Sequence, residues 1–530
     1  MAGEGSMKAA PGGYNPWVVA LVVSLATFME VLDTTIANVA LRYISGGLAV
    51  GPDEASWVVT SYLVANAIVL CASSWIAGAL GRKNFFLICV ALFTVSSLAC
   101  GFAWNLGSLL VFRVLQGLAG GGMTPVAQSI LASSFPPAKR GQAFALYGVA
   151  VVVAPVVGPT LGGWLSDNLS WHWCFLINGP VGVACFFLVW LTVADAPEAK
   201  AERRRIRKAG YKFDYIGFGL IATFLGALEV CLDEGQRNDW FGSTFIIVFA
   251  LVSAAALVAF VPWELTRKEP LIDLRMLASR QFGSCFLVML ATGGILIATT
   301  QFVPQLLQEY YGYTATWAGL ALSPGGIVTA MMMAVVGRLG GRVPAKYLIA
   351  TGALIIAAAM YNLTNLYGDL NFGWFVWQRV YIGIGLPMIF ISITTASYDG
   401  IPANRTDQAS ALINMARNTG GSIGVAIGQN VLMYREQFHQ SRLVEHIVPS
   451  NPAYQDQIAN LTAFFQTRGA GAVQAANQAF AAVNQSVQTQ AAYLAYIDVF
   501  VALGFMALAA VPLALLLRST KAGAGAQGAH

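Results

Sequence analysis

A chain of 530 residues with 57% hydrophobic and only 10% charged side chains cannot wet a soluble surface, which takes roughly 25% charged residues. That excludes an ordinary soluble enzyme or binding module and makes lipid the surrounding medium, with room for a dozen or more crossings at about 20 apolar residues each. The net charge of +5 does not indicate nucleic acid, because the basic residues fall between apolar segments, where they set topology.

In chain order, the first apolar run, 17–41, is longer than a signal-peptide core of about 7–15 residues, and only Lys8 precedes it, so it reads as a membrane span. Further spans are expected at 55–77, 85–104, 108–131, 141–165, 172–194, 213–232, 243–264, 282–307, 315–336, 346–364, 372–398, 407–433 and 493–517. With the N-terminus in the cytoplasm, the inner connections hold Arg82 and Lys83, Lys139 and Arg140, and a basic run from Lys200 to Lys212. They continue with Arg267, Lys268, Arg275 and Arg280, then Arg338, Arg342 and Lys346, then Arg405, and finally Arg518 and Lys521. The short outer loops hold only Arg42 and Arg237, beside Asp53, Glu54, Asp233, Glu234, Asp239, Glu309 and Asp369. This is the positive-inside asymmetry, and one spurious helix would invert every later loop.

Two regions stand apart from the spans. Residues 195–212 form a basic linker suited to anionic headgroups. Residues 435–492, rich in Gln, Ala and Asn, carry Val473, Phe480, Val483 and Val487 at near-helical spacing and read as an outer helical segment.

The chain also repeats itself. Arg113 and Arg379 stand 266 residues apart, and that offset, kept without gaps, places Val114 on Val380, Gly117 on Gly383, Pro136 on Pro402 and Gln142 on Gln408. It goes on to place Ala143 on Ala409, Ala145 on Ala411, Leu146 on Leu412, Gly158 on Gly424 and Gly162 on Gly428. The expected division is a tail at 1–16, a six-helix bundle at 17–194, the linker at 195–212 and two inserted helices at 213–264. A second linker follows at 265–280, then a six-helix bundle at 281–518 containing the 435–492 segment, and a cytoplasmic tail at 519–530. Two parallel bundles with a binding site at their interface are the layout of a rocking-bundle transporter.

Several residues carry candidate chemistry. Glu30 and Asp33 are carboxylates inside span 1, where a charge costs roughly 2.5–3.5 kcal/mol, and a lone one is a proton-handling candidate. The plainer reading puts Asp33 near the outer end of its span, hydrated and structural. Arg113 cannot deprotonate and must find a carboxylate, carbonyls or water; Arg379 and Arg417 read as ties between helices, with Arg417 also placed to line a cavity. Asn38, Trp57, Tyr62, Asn66, Gln116, Gln128, Gln301, Gln305 and Asn414 supply the aromatics and amides that a cavity for amphiphiles needs, though each serves equally as an interhelical bond. Pro155, Gly158, Pro159, Gly162 and Gly163 allow bending and close helix approach.

No enzyme site, metal cluster or Walker run emerges: the histidines at 172, 439, 446 and 530 are scattered, and Gly120-Gly121-Gly122 lies within a span, where helix packing explains it. The seven cysteines form no CxxC pair and read as small buried hydrophobes.

The motifs Leu32-Asp33-Thr34-Thr35-Ile36-Ala37-Asn38-Val39-Ala40-Leu41, Arg113-Val114-Leu115-Gln116-Gly117 and Gly158-Pro159-Thr160-Leu161-Gly162-Gly163 resemble the EmrB/QacA-like family of fourteen-helix drug:proton antiporters in the major facilitator superfamily. So does the stretch Gln305-Leu306-Leu307-Gln308-Glu309 followed by Tyr311 to Leu320, and the resemblance covers nearly the whole chain. It implies an all-α integral membrane protein of two six-helix bundles plus two extra helices, with both termini cytoplasmic, in a bacterial inner membrane. It implies export of hydrophobic or amphiphilic toxic compounds driven by the proton gradient, without a cofactor, with Arg113 in the proton relay and the Pro155–Gly163 motif as a gate. It further implies a periplasmic membrane-fusion (EmrA-like) adaptor and a TolC-type outer-membrane channel as partners. In the run Ser74 to Lys83, Gly78 and Ala79 replace the family's acidic residue and arginine, which counts against an inner salt-bridge gate there. Export of one endogenous metabolite, fatty acid or siderophore is the alternative within transport; a non-transporting scaffold or sensor is the alternative outside it.

Overall fold

The computed structural model describes residues 15–194, 204, 213–267, 270–339, 342–402 and 405–518. The basic linker expected at 195–212 falls, apart from Arg204, outside the described residues, as do the tails at 1–14 and 519–530.

Uncharged runs of this length have one way to satisfy their backbone in lipid, which is the α-helix. The described residues form α1 (Pro16–Leu48), α2 (Pro52–Leu80), α3 (Arg82–Gly101), α4 (Leu106–Ser134), α5 (Pro137–Asn168), the single turn α6 (Trp173–Leu176) and α7 (Asn178–Thr192). An inserted pair follows, α8 (Tyr215–Glu234) and α9 (Thr244–Thr266). The chain continues with α10 (Arg280–Tyr310), α11 (Ala315–Leu339), α12 (Ala345–Leu363), α13 (Phe372–Ala396), α14 (Thr406–Val444), α15 (Pro452–Thr467) and α16 (Ala472–Leu515). There is no strand among the described residues.

The internal repeat is visible as packing. In the first half α4 packs on α2 and α3, and α1 packs on α5; in the second, α13 packs on α11 and α12, and α10 packs on α14. Gly117 and its repeat mate Gly383 do the same work. A Cβ on Gly117 would lie 2.4 Å from the Tyr62 carbonyl oxygen of α2, and one on Gly383 would lie 2.5 Å from the Gly325 carbonyl oxygen of α11. Only glycine admits a neighbouring backbone this closely. Gly120 and Gly121 serve the same α2–α4 contact, with Gly121 against the Asn66 carbonyl, while Gly122 admits Phe85 and Cys89 of α3. All seven cysteines are free and buried.

The halves meet where α5 packs on α11 and α13, and where α14 packs on α2 and α4. The inserted pair lies beside this seam. Helix α8 packs on α2 and also touches α14, while α9 packs on α8 and turns Leu251 and Val258 outward.

Two segments differ from the sequence expectation. The span expected at 172–194 breaks at Ile177 into α6 and α7, with Asn178 opening the second piece. The last two spans run far past their apolar limits: α14 extends to Val444 and α16 begins at Ala472. Residues 435–492 are thus carried by the end of α14, by α15 and by the first turns of α16, and α15 buries no residue. At the base of this extension Asp498 accepts from Arg435 Nε at 2.5 Å and lies 2.7 Å from His439 Nε2.

Twelve described helices are long and apolar enough to cross a membrane, and thirteen if α5, bent by 41° between Pro155 and Val157, counts as one span. Fourteen were expected. The difference is α14, whose Asp407, Asn414, Arg417 and Asn418 make it more polar than any other long helix of the bundles.

Candidate functional site

Among the described residues, the most deeply buried ion pair joins α1 and α4. Arg113 Nη1 donates to Asp33 Oδ2 at 2.7 Å, and the side chains are 0% and 1% exposed. Asp33 Oδ1 accepts two more hydrogen bonds, from Gln116 Nε2 at 2.9 Å and from Asn178 Nδ2 at 2.6 Å. Asp33 is therefore not a hydrated residue at a helix end, as the plainer reading of the sequence had it. Arg113 is fixed in turn by the Val58 carbonyl, which accepts from Nε at 2.9 Å, and by Gln116 Oε1 at 2.8 Å. Its guanidinium carbon lies 4.3 Å from the Tyr62 ring centre, an attractive cation–π contact. Nη2 is buried without a hydrogen-bond partner among the described residues. Helix choice explains the geometry: Arg113 and Gln116 are three residues apart on α4 and so share a face.

Glu30, one turn before Asp33 on α1, accepts from Thr124 Oγ1 at 2.7 Å and from Asn66 Nδ2 at 3.4 Å. Across the seam, Arg417 of α14 donates from Nε and Nη2 to the neighbouring Asn418 Oδ1.

A second polar cluster joins the halves near the end of the bundle that holds Pro16 and Leu515. Gln128 and Asn414 exchange amide hydrogen bonds, at 2.8 Å into Gln128 Oε1 and 3.3 Å into Asn414 Oδ1. Ser410 Oγ donates to the Pro125 carbonyl at 2.7 Å. Asp407 accepts a two-pronged bond from Arg82, at 2.9 Å from Nε and 3.0 Å from Nη2, and a further one from Ser129. The sequence counted against a gate built on a salt bridge at the α2–α3 turn because Gly78 and Ala79 replace the charged pair. Arg82, at the end of that run, does form a bridge, with an acid from the other half of the chain.

The remaining expected residues are scattered in role. Tyr62 and Asn66 are buried on α2, Tyr62 with its ring against the Arg113 guanidinium and Asn66 donating to Glu30. Gln116 is a partner of Asp33, and Gln128 and Asn414 are the amide pair at the seam. Asn38 and Gln301 are exposed, Trp57 is half-buried, and Gln305 donates to Glu309 at 3.1 Å. In the Pro155–Gly163 motif, a Cβ on Gly158 would fall 2.1 Å from Thr35 Oγ1, and one on Gly162 would fall 3.2 Å from Ile36 Cα. The motif thus grips α1 two and three residues beyond Asp33. Gly163 takes no part in that grip, since a Cβ there meets nothing within 4 Å.

Sequence reasoning missed Asn178 and three acids of the inserted pair's contact with the bundles. Asn178 had a signal, being followed by Gly179-Pro180 inside an apolar run, a combination that breaks a helix. On α8, Asp233 accepts from Thr60, Glu234 from Ser56 at 3.1 Å, and Glu229 from Ser422 of α14 at 2.7 Å.

The Major Facilitator Superfamily profile matches residues 23–425. The multidrug export protein EmrB of Escherichia coli (strain K12) is 36% identical over 527 residues, covering 97% of this chain and 98% of its own. The fatty acid resistance protein FarB of Neisseria gonorrhoeae is 34% identical over 507 residues, covering 96% and 97%. Among solved structures, the proton:xylose symporter XylE superposes with a TM-score of 0.58 at 13% identity, covering 94% of this chain and 96% of that one. An identity that low bears on the fold alone.

Proposed function

This chain belongs to the major facilitator superfamily, and from that premise we propose that it exports hydrophobic or amphiphilic compounds in exchange for protons taken up at Asp33. It is a multi-pass membrane transporter of the multidrug-export kind rather than an enzyme. Proton coupling is the finer step, and one observation carries it: a carboxylate of α1, sealed from solvent, whose three ligands come from α4 and α7.

Protonation of Asp33 cancels one charge of the pair with Arg113 and weakens the bonds from Gln116 and Asn178 together. Charge-assisted hydrogen bonds are roughly twice as strong as neutral ones, so α1, α4 and α7 lose part of what holds them together. The change has a mechanical outlet. Thr35 and Ile36, next to Asp33, lie in the notches of Gly158 and Gly162, so α1 cannot shift without moving α5. Helix α5 in turn packs across the seam on α11, with Thr160 against Gly319 and Gly141 against Gly337. Arg113 stays charged throughout and, with Glu30 close by, sets when Asp33 lets its proton go. Inward movement of one charge down about 100 mV supplies roughly 2.3 kcal/mol, enough to bias such a cycle.

The membrane is taken as a bacterial inner membrane with both termini in the cytoplasm. On this reading α14 is the fourteenth span, its polar face covered by the other half, and the two six-helix bundles rock about the seam with α8 and α9 at its side. The Arg82–Asp407 bridge and the Gln128–Asn414 pair then close the cytoplasmic end. The 435–492 helices would project into the periplasm, where a membrane-fusion adaptor of the EmrA kind could hand cargo to a TolC-type channel. A second reading, dedicated export of one metabolite, fatty acid or siderophore, draws support from the likeness to a fatty acid resistance protein.

Reconstitution tests the coupling. An imposed pH gradient should drive transport of a panel of lipophilic compounds by the wild type, and Asp33→Asn should reduce it to the rate of protein-free vesicles. Wild-type transport that persists unchanged with both pH difference and voltage collapsed would sink the proposal, and a narrow cargo profile would favour the second reading.

A further inference from the structure

The 266-residue offset that pairs Arg113 with Arg379 also pairs Asp33 with Thr299, and the structure keeps the contact: Arg379 Nη1 donates to Thr299 Oγ1 at 3.1 Å. Nη2 donates to Thr300 Oγ1 at 3.0 Å. The arginine is retained, and its acid has become a hydroxyl. Each threonine already gives its single proton to its own helix, Thr299 to the Ile295 carbonyl at 2.8 Å and Thr300 to the Leu296 carbonyl at 2.7 Å. They serve Arg379 only as neutral acceptors. Arg379 is 4% exposed, and among the described residues no carboxylate lies within ion-pair distance of it. A guanidinium cannot shed its charge, and an unpaired ion taken out of water costs several kcal/mol.

The surroundings say where a counter-charge could come from. Thr300 is only part-buried, and beside it Gln301, Gln305 and Gln308 follow at helical spacing along one exposed to half-exposed face of α10. A row of amides belongs against water or cargo rather than acyl chains.

We propose that Arg379 is the receptor for the acidic head group of an anionic amphiphile, which supplies from outside the chain the charge that Asp33 supplies from within it. The inference rests on the export reading and adds a substrate class and a specificity-determining residue. The head group would be a carboxylate, sulfonate or similar singly charged acid, bound through the guanidinium while its apolar tail lies along the seam between the bundles.

Three single-tailed amphiphiles of equal chain length test it: an alkyl sulfonate, an uncharged alkyl amide and an alkyl trimethylammonium, each competing against transport of a fluorescent dye in proteoliposomes. One charge-assisted contact corresponds to about ten- to a hundredfold in affinity. Arg379→Gln should raise the half-inhibitory concentration of the sulfonate by that factor relative to the ammonium, and Arg379→Lys should keep most of the preference. Thr299→Asp, which gives Arg379 a resident carboxylate, should remove the sulfonate preference while leaving the fold of the first half's own ion pair in place. Repeating the assay in wholly zwitterionic vesicles separates cargo from lipid: a preference lost there belongs to an anionic lipid head group and overturns the proposal. So does a sulfonate curve that ignores both variants, or one that shifts in step with the other two probes. Dye flux that ignores the proton gradient would instead strike the coupling reading and leave the sulfonate comparison intact.

Discussion

Two arginines, one in each half, began in the same place and now sit in opposite electrostatic settings. Arg113 is neutralised by Asp33, with Gln116 and Asn178 completing the carboxylate's shell. Arg379 meets two threonine hydroxyls and, among the described residues, no acid within ion-pair distance. The surrounding packing has not diverged in the same way, since Gly117 and Gly383 admit a neighbouring backbone to within 0.1 Å of the same distance. Duplication thus preserved the scaffold and changed the charge. One half holds a self-contained pair that a proton can open; the other holds a cation that the chain itself does not satisfy.

The largest effect expected from this difference is one of sign. Arg113→Ala leaves Asp33 buried without its partner and should destabilise the protein by about 3–5 kcal/mol. Arg379→Met removes a cation whose partners are neutral hydroxyls, leaves no buried charge behind, and replaces it with an unbranched side chain. It should be neutral or stabilising, as replacement of costly buried charge often is. Thermal unfolding of the two variants in one detergent decides the matter. Equal losses would mean that Arg379 is held as firmly as Arg113 and that the halves are electrostatically equivalent.

The sequence disclosed the pair and not its setting. Asp33 and Arg113 were legible because a charge inside an apolar run has no bland explanation, and the repeat singled out Arg379. What Arg379 lacks could not be read, because absence of a partner is a property of packing across 80 residues of chain. Gln116 looked like a cavity amide, yet its position three residues from Arg113 makes it a partner of the same carboxylate. The Arg82–Asp407 bridge spans 325 residues, so the local change to Gly78 and Ala79 could not announce it. Helix α14 was legible through the alternation of basic loops and through the repeat that sets it on α5, although it is too polar to stand among the twelve apolar helices. The contacts of Glu229, Asp233 and Glu234 were invisible for the same reason as the bridge: hydroxyl partners on distant helices carry no local signature.

A middle-sized effect should be shared by both halves. A Cβ at Gly158 would lie 2.1 Å from Thr35 Oγ1, and at its repeat mate Gly424 a Cβ would lie 2.4 Å from Gly294 Cα. Overpacking of this kind costs about 1–3 kcal/mol, so Gly158→Ala and Gly424→Ala should both lower stability by similar amounts. Gly163→Ala, with open space at its Cβ, should stay within about 0.5 kcal/mol of wild type. Transport separates what stability does not. Gly158 borders Thr35, two residues past Asp33, so Gly158→Ala should also slow proton-driven flux, whereas Gly424→Ala should act through stability alone. If both slow flux equally at matched stability, the route from Asp33 through α1 to α5 has no special standing.

The smallest effect is the most discriminating. Thr299→Val keeps the shape of the side chain and deletes one neutral acceptor from Arg379. If the two threonines held Arg379 as Asp33 holds Arg113, this change would cost as much as breaking a buried ion pair, about 3 kcal/mol or more. A single hydrogen bond to a neutral hydroxyl contributes nearer 1 kcal/mol, and that is the loss expected in the unfolding midpoint. The remaining Nη2 bond to Thr300 would still fix the guanidinium in place. A loss near 1 kcal/mol means that the second half does not neutralise its arginine from within, and an anionic cargo is then free to do so; a loss near 3 kcal/mol means the hydroxyls already suffice.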